Sequence, residues 1–589
     1  MIESMKKIFA LGLAIMALAS CNMDFIPSDS MSTSMLKENP SAAIFTTDGI
    51  YTLFKDRYEY KGETEDGNYY VRHYFQNTEL RGDNVCVSGY SEDPFCFPYT
   101  YKDAPTEKNI TYFWWMAYKI INAANSNIAS IVPGASALSD HLLGENYFLR
   151  AIAHFHMVTC FAMPYVCGRD NPGVVLRTNL DNSTTVRESV GKVYDQIVLD
   201  LIEAKKYLAN GEAERLSKDK NYKGYVTLDA ATALLARVYL YMEENDKCLA
   251  ECNELMAHAS KTVTESYDFA DYPTHTYDHP ETIWCIHHDL DDEIAIANGG
   301  ASIGSMYLHD EEQGIGWGEH YWSDILIDNF QRYPEDKRFA AYFKMNDVLN
   351  DGKVCVSIPF KTKEENDYCA SNVIKNLTVN ADGSVDFKAD GKSYKAVPTI
   401  VNTYTEYYVN GIDFVTGKTG ANEKTRVFIR PNIGTKGKRA SRDYIIYYNT
   451  KFNYQNGKAM LHSPVFLRWG EVVLNRAEAR AKTNDEQGAL DDVNLIRRRA
   501  GLTGDAEMTL ANYKERGYDS VLDVVLDERR RELCFEGHRC FDQYRNRRAL
   551  DRRYAGYQPW EVINYDDKRI AMLISIDEIT SSGIPQNER

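Results

Sequence analysis

Along much of this chain apolar residues return every three or four positions, the spacing that gathers them on one face of an α-helix. Trp114 to Ile131 (WWMAYKIINAANSNIASI) runs this way and stops before Pro133-Gly134. Glu145 to Phe161 repeats the pattern with Phe148, Ala151, Ile152, Phe155 and Val158, and Val190 to Leu208 with Val193, Ile197, Leu201 and Ala204. Thr227 is a candidate N-cap for a helix carrying Ala231, Leu234, Leu235, Val238 and Met242 inward. A turn at Asn245-Asp246 then leads into a second helix through Ala257. Phe466 to Lys482 and Gln487 to Ala500 form a similar pair around Thr483-Asn484-Asp485. Units of this size match a tetratricopeptide helix–turn–helix, although they are degenerate and not in tandem. A chain of 589 residues exceeds one compact core, so two to four domains or one extended helical fold is expected. The fold class is mainly α, with tetratricopeptide-like helical hairpins forming a base over about 106–265 and 460–550.

Between Tyr267 and Tyr454 the pattern changes. Gly299-Gly300, Gly304, Gly314, Gly316 and Gly318 punctuate an aromatic stretch. Ser384 to Lys388, Asp390-Gly391, then Tyr394 to Val397 predicts a β-hairpin with an Asp-Gly turn. Irregular loop and β-hairpin insertions, at about 60–105 and 266–459, are expected to form a ligand-binding subdomain, because long insertions in a packed scaffold usually carry function.

At the N-terminus Lys6 and Lys7 precede an apolar run from Ile8 to Ala19, too short to span a bilayer and patterned as a secretory signal. Leu18-Ala19-Ser20-Cys21 resembles a bacterial lipobox, which implies a signal peptide over 1–20 and acylation of Cys21, palmitate included. Several acyl chains make such anchoring stable, so membrane contact is expected through the lipid alone. Lys and Arg total 67 against 85 Asp and Glu, a net charge of −18, which argues against a nucleic-acid partner. Twelve cysteines leave eleven after lipidation, an odd number that requires a free thiol or an intermolecular bond. Cys248 and Cys252 are expected to face the core, while Cys86 and Cys96 are either a disulfide or two thiols.

The charged motifs read as scaffold. Glu528, Arg529, Glu532, Glu536, Arg539 and Asp542 recur at three- and four-residue intervals, as do Arg468, Glu471 and Glu478. Partly buried, such groups act as Arg–carboxylate clasps between helices, with Arg497 and Arg499 as further cations. Glycoside hydrolysis needs two carboxyl groups flanking a cleft, and arginine-neutralised carboxylates make poor general acids. Gly411…Gly417-Lys418-Thr419 has the wrong spacing for a phosphate loop. His154 and His156 cannot share a helix face, and His287-His288 lacks a zinc-protease context. The acidic run Asp289, Asp291, Asp292, Glu293 has Ile294 where a calcium loop needs glycine. No catalytic site and no cofactor are expected, with a bound calcium ion on that run as the alternative to a solvated loop.

Several segments, in order, resemble the SusD/RagB outer-membrane lipoproteins of Bacteroidetes. They are Cys21-Asn22-Met23-Asp24, Trp115…Asn122…Asn125, Glu145…Phe148-Leu149-Arg150-Ala151, Arg468…Glu471…Leu474…Ala477-Glu478-Ala479, Asn494…Ile496-Arg497…Arg499-Ala500-Gly501-Leu502, and Glu528-Arg529-Arg530…Phe535-Glu536-Gly537-His538-Arg539…Asp542. The tail Ile574…Pro585-Gln586-Asn587 fits the same pattern. The resemblance implies an α-helical base, a surface-exposed place on the cell outer membrane, a glycan ligand and a SusC-like TonB-dependent transporter as partner. Capture of peptides or another nutrient is the alternative, and a surface glycoside hydrolase a more distant one.

A glycan binder needs exposed aromatic platforms beside amide, carboxylate or Arg groups. Two regions fit. Asp83-Asn84 through Tyr101 offers Tyr90, Phe97, Tyr99 and Tyr101 beside Asp83 and Asn84. Tyr307 to Trp322 offers Tyr307, Trp317, Tyr321 and Trp322 beside His309. The competing reading is packing, since Trp317 and Trp322 precede a helix start at Ile325.

Overall fold

The computed structural model describes residues 42–64, 68–87, 96–181, 185–211, 215–216, 222–292, 302–345, 348–361, 369–401, 404–433, 446–554, 556, 558 and 561–589. The expected signal peptide and Cys21 lie outside the described residues. So does the side chain of Cys96, and with it the question of its pairing with Cys86.

The N-terminal half is helical: α1 (Ala42–Lys55), α2 (Tyr70–Glu79), a short strand β1 (Val85–Val87), α3 (Lys108–Ser130), α4 (Ala137–Phe161), α5 (Val190–Leu208), α6 (Leu228–Tyr241) and α7 (Asn245–Met256). The apolar periodicity gives the ends of α3 and α4 to within a residue but starts them late, although Ile110, Phe113, Leu138 and Leu142 already lie in their opening turns. Ser136 caps α4, its Oγ accepting the Ser139 N–H at 3.0 Å, and Thr227 caps α6 through the Ala230 N–H at 3.3 Å. Gly144 lets α4 and α5 cross closely, since a Cβ there would lie 2.7 Å from Leu208 Cγ. Cys248 and Cys252 are buried with their sulfurs 4.0 Å apart, too far for a bond. No helix among the described residues is long and apolar enough to cross a membrane.

The middle of the chain supplies β2 (Thr282–Cys285), β3 (His320–Trp322), α8 (Asp324–Gln331) and α9 (Lys337–Tyr342). A run of strands follows: β4 (Val354–Lys361), β5 (Cys369–Ile374), β6 (Leu377–Val379), β7 (Val385–Ala389), β8 (Lys392–Val401), β9 (Tyr404–Ile412) and β10 (Thr419–Pro431). The expected hairpin is β7–β8, with Ala389 opposite Lys392 and positive φ at Asp390 (48°) and Gly391 (75°), as its Asp-Gly turn requires. It belongs to a much larger element. All these strands form one antiparallel seven-stranded sheet in the order β5-β4-β10-β9-β8-β7-β6. The sheet has its own small core, with Val356, Ile358, Val385, Phe387, Ala396, Val409 and Val427 on one face.

The chain returns to the base through β11 (Val465–Arg468), α10 (Trp469–Lys482), α11 (Glu486–Arg499), α12 (Val521–Glu532), α13 (Arg539–Arg545) and α14 (Ile576–Ser582). The expected clasps are present and almost wholly buried. Glu532 on α12 meets Arg468 and Arg499 at 2.5 Å each and Arg338 of α9 at 2.8 Å. Glu281, just before β2, accepts from Arg468 and Arg499 at 3.0 Å and from the Gly470 N–H at 2.9 Å. Glu528 meets Arg497, Arg531 and Arg338 at 2.9, 3.0 and 2.8 Å. Gly470 is required beside them: a Cβ there would lie 2.6 Å from Arg468 Nη1 and 2.8 Å from Glu532 Oε1. A second cluster joins Glu478 and Asp542 to Arg529 and Arg545. The C-terminal tail closes on α4, with Asn587 Nδ2 donating to the Phe161 carbonyl at 2.8 Å.

Burial alone would raise the Glu528 and Glu532 carboxyls, but the surrounding guanidiniums outweigh it, holding Glu528 at about 2 and Glu532 well below its ordinary value. Removing Glu532 as Glu532→Ala takes a shared carboxylate from three buried cations, leaving Arg468 and Arg499 on Glu281 and Arg338 on Glu528, and is expected to cost about 3–5 kcal/mol, read as lost denaturant midpoint. Because the folded-state values are depressed, the clasps' contribution is complete above the ordinary Glu value of about 4.3 and is lost as pH falls toward about 2. Melting temperature is therefore expected to fall steeply below about pH 4 in the wild type and less steeply in Glu532→Ala.

Candidate functional site

The structure brings the two aromatic regions together. β1 pairs antiparallel with β3, placing Val85 opposite Trp322, Cys86 opposite Tyr321 and Val87 opposite His320. The pairing turns most of the expected platforms inward. Trp322 is fully buried among Phe330, Phe343 and Phe535, with ring centroids 5.4, 5.5 and 5.1 Å away. Tyr307 is buried between Phe452 and Phe535. Tyr321 packs near Tyr448, Tyr99 hydrogen-bonds Gln558, and Tyr101 donates to the Arg81 carbonyl at 2.6 Å, all three buried. The expectation that these five rings offer open faces is thereby corrected: half-buried strands and helix ends consume them as core, their hydroxyls satisfied internally where Tyr99 and Tyr101 are concerned. Asn84 is likewise buried, donating to Glu79 at 3.3 Å and accepting from Arg530 at 2.9 Å. Tyr90 lies outside the described residues. Phe97 and His309 are half-buried, the latter hydrogen-bonded through Nδ1 to the Gly316 carbonyl at 2.7 Å. Trp317 alone of the named aromatics is widely open, at 48% exposure, in the glycine-rich loop where Gly314, Gly316 and Gly318 all take positive φ.

Asp83 leads to the larger site. It lines a cleft of about 580 Å³ between the helical base and the inserted sheet. One wall is α8 with Asp328, Asn329 and the following Arg332; the opposite wall is the sheet, with Tyr408, Lys424, Arg426 and Phe428; the floor carries Arg530, Arg539, Asp551 and Arg553. α8 starts where the sequence places it, capped by Ser323. It holds the sheet by its two carboxylates one turn apart: Asp324 meets Arg430 at 2.8 Å, and Asp328 meets Arg430 at 3.2 Å and also Arg426. Its other side is fixed to α12, Arg531 donating to Asn329 at 3.1 Å. Lys424, Arg426, Phe428 and Arg430 alternate along β10, so they share a sheet face. That alternation was visible in the sequence and is the signal that could have found this wall.

Two of the cleft's carboxylates are held in the ionised form by the arginines beside them. Burial would raise the Asp83 carboxyl, but Arg530 and Arg539 hold it at about 2, and Asp527 is likewise held below the usual carboxylate range by Arg531 and Arg332 against its burial. Burial brings Arg530 down to about 10, which leaves it cationic at neutral pH. Asp292 of the acidic run is paired with Lys55 at 2.7 Å and accepts the Asp289 N–H at 2.6 Å, while Glu293 lies outside the described residues. No group of three or more His, Cys, Asp or Glu side chains among the described residues is placed to hold a metal ion. A second, smaller cleft of about 170 Å³ is lined by Tyr51, Tyr222, Tyr225 and His287. Its charged groups are already engaged, Lys55 with Asp292 and Asp48 with Arg215.

Against known families, the SusD family matches residues 280–582, and a family described as starch-binding and associating with the outer membrane matches residues 60–240. The chain belongs to the SusD family. SusD-like protein P2 of Formosa agariphila is 23% identical over 439 residues, covering 74% of this chain and 71% of that protein. Among solved structures, a SusD superfamily protein from Bacteroides thetaiotaomicron superposes with a TM-score of 0.65 at 20% identity, over 93% of this chain and 99% of its own. Surface glycan-binding protein A from Bacteroides uniformis gives 0.59 at 16% identity, over 93% and 99%. At these identities the likeness to the solved structures is one of fold. The helical base with a sheet insertion is the SusD-like fold.

Truncating the rings separates core from surface. Trp322→Ala is expected to cost about 3–5 kcal/mol, whereas Trp317→Ala should stay within about 0.5 kcal/mol of the wild type. Chemical denaturation checks both, and equal losses would contradict the burial assigned here.

Proposed function

We propose that this protein captures oligosaccharides or polysaccharides at the cell surface and passes them to a SusC-like TonB-dependent transporter. The observation that carries this reading is the cleft between base and sheet, whose volume of about 580 Å³ falls within the range of small-ligand sites, roughly 300–1,000 Å³. Its walls offer hydrogen-bond donors and acceptors at fixed positions, with the half-buried Tyr408 among them. In this reading residues 1–20 direct export, Cys21 carries the lipid, and the remainder is the mature binding protein on the outer membrane. Tethering beside a transporter raises the effective ligand concentration, so a weak grip is sufficient. The protein then works by binding and release, without turnover. Membership of the SusD family supports the glycan ligand over the other classes, and the net charge of −18 disfavours nucleic acid.

Affinity electrophoresis of the mature chain in gels containing a panel of polysaccharides should retard it in at least one. Parallel gels or titrations with peptides should show no binding, and the reverse pattern would assign the protein to peptide capture. Trp317→Ala is expected to weaken retention severalfold if its open ring stacks on the ligand; unchanged mobility would remove that ring from the contacts. New reducing ends after incubation would contradict a purely binding role.

A further inference from the structure

The charges of the cleft do not cancel in kind. Six cationic and five carboxylate side chains line it, on a chain whose net charge is −18. Most of the cations are spoken for. Arg426 is paired with Asp328 and Glu406, Arg530 and Arg539 with Asp83, and Arg553 with Asp551. Arg332 and Lys424 are different. Among the described residues neither makes a contact ion pair; Arg332 acts on Asp527 only through space, and its Nε is buried with no hydrogen-bond acceptor. Lys424 is held in place by the face of Tyr408, its Nζ 4.5 Å from the ring centroid. The two cations stand on different walls, one following α8 and one on β10. Tyr408 is therefore shielded on one face by an ammonium, which reduces its use as a sugar platform and makes the pair of walls an electrostatic feature.

Of the cleft's cations, Arg332 is the one whose Nε is left without an acceptor, and Lys424 has no carboxylate in contact. A ligand carboxylate or sulfate in the cleft would give both cations a counter-charge, and guanidinium geometry matches both groups. Resting on the glycan-capture reading above, we propose that the cleft selects anionic saccharides, uronate-bearing or sulfated, with Arg332 and Lys424 as the residues that recognise the acid group. Neutral chains of the same backbone leave both cations unanswered and bind less tightly.

The test uses the mature chain and matched polymers: polygalacturonate with its methyl ester, alginate with its propylene glycol ester, and chondroitin sulfate with a desulfated, carboxyl-reduced form. Starch and laminarin serve as neutral comparators, and sodium sulfate alone as the free-anion control. Retention by at least one acidic polymer, at least about tenfold weaker for its neutralised twin and weakening with added salt, is expected. Arg332→Gln with Lys424→Gln should lose that preference while Arg332→Lys with Lys424→Arg retains much of it, both still melting in a single cooperative transition, since neither residue is in a contact ion pair. Retention by neutral polymers only, or equal retention by acid and ester, would overturn the anionic selection and leave glycan capture standing. An undiminished preference in the double Gln variant would overturn the assignment to this cleft. Binding to no polysaccharide at all would overturn both readings.

Discussion

Buried charge pairing is the constraint on which this architecture turns. Glu532, Glu528 and Glu281 sit where five arginines converge, and their near-complete removal from water leaves little freedom for any partner to be elsewhere. Such pairs contribute little net stability compared with an apolar core, since desolvation of both charges offsets their attraction. What they impose is position. An apolar side chain tolerates many neighbours, but a buried carboxylate is satisfied only by donors at the right distance and angle. The partners come from segments far apart in sequence: Glu281 enters the middle of the chain, Arg338 lies within it, and Lys451 leaves it, donating to the Glu532 and Cys534 carbonyls at 3.2 and 3.1 Å. The long central insertion is thus held at its roots by the carboxylates and backbone of one helix, α12, and its flanks.

The same device is repeated one step outward. Asp324 and Asp328 on α8 hold Arg426 and Arg430 of β10, and Asn329 on the same short helix is held by Arg531 and Asp527 of α12. α8 is consequently a splint between base and sheet, and the cleft is the space left beside it. Its walls are as fixed as the clasps that set them, which suits a site that must present several polar groups in one arrangement.

The sequence was most legible where a single helix face had to be buried. The bounds of α5 over Val190–Leu208, the Thr227 cap and the turn at Thr483-Asn484-Asp485 follow from apolar spacing and side-chain capping, both local. The Asp390-Gly391 hairpin was legible for the same reason, its turn chemistry being contained in two residues. The seven-stranded sheet was not, because β4 and β10 pair across more than sixty intervening residues and their register is decided by tertiary partners. The candidate platforms failed by the same argument. Tyr99, Tyr307 and Trp322 are aromatic residues in polar, glycine-rich surroundings, and composition cannot tell an open ring from one buried by a strand pairing made elsewhere in the chain. Asp83 was found for its polarity, yet its place in the cleft depends on Arg539, which the sequence offered as a member of a helical charge pattern, and on Arg530, which it offered only within a family-like segment.

Separate cores have a consequence for how such a site can change. The residues Val356, Phe387 and Val427 pack within the sheet, while the base has its own core, and the exposed Lys424 on the opposite face of β10 belongs to neither. Lys424 is exposed and Arg332 half-buried, and neither is part of the clasps. Arg426 and Arg430, two and six residues further along the same strand, cannot be exchanged so freely, because Asp324 and Asp328 would lose their partners and the splint its grip. One strand therefore carries both kinds of position on the same face. The ligand-facing chemistry is adjustable at some of them, and the geometry of the cleft is locked at the others.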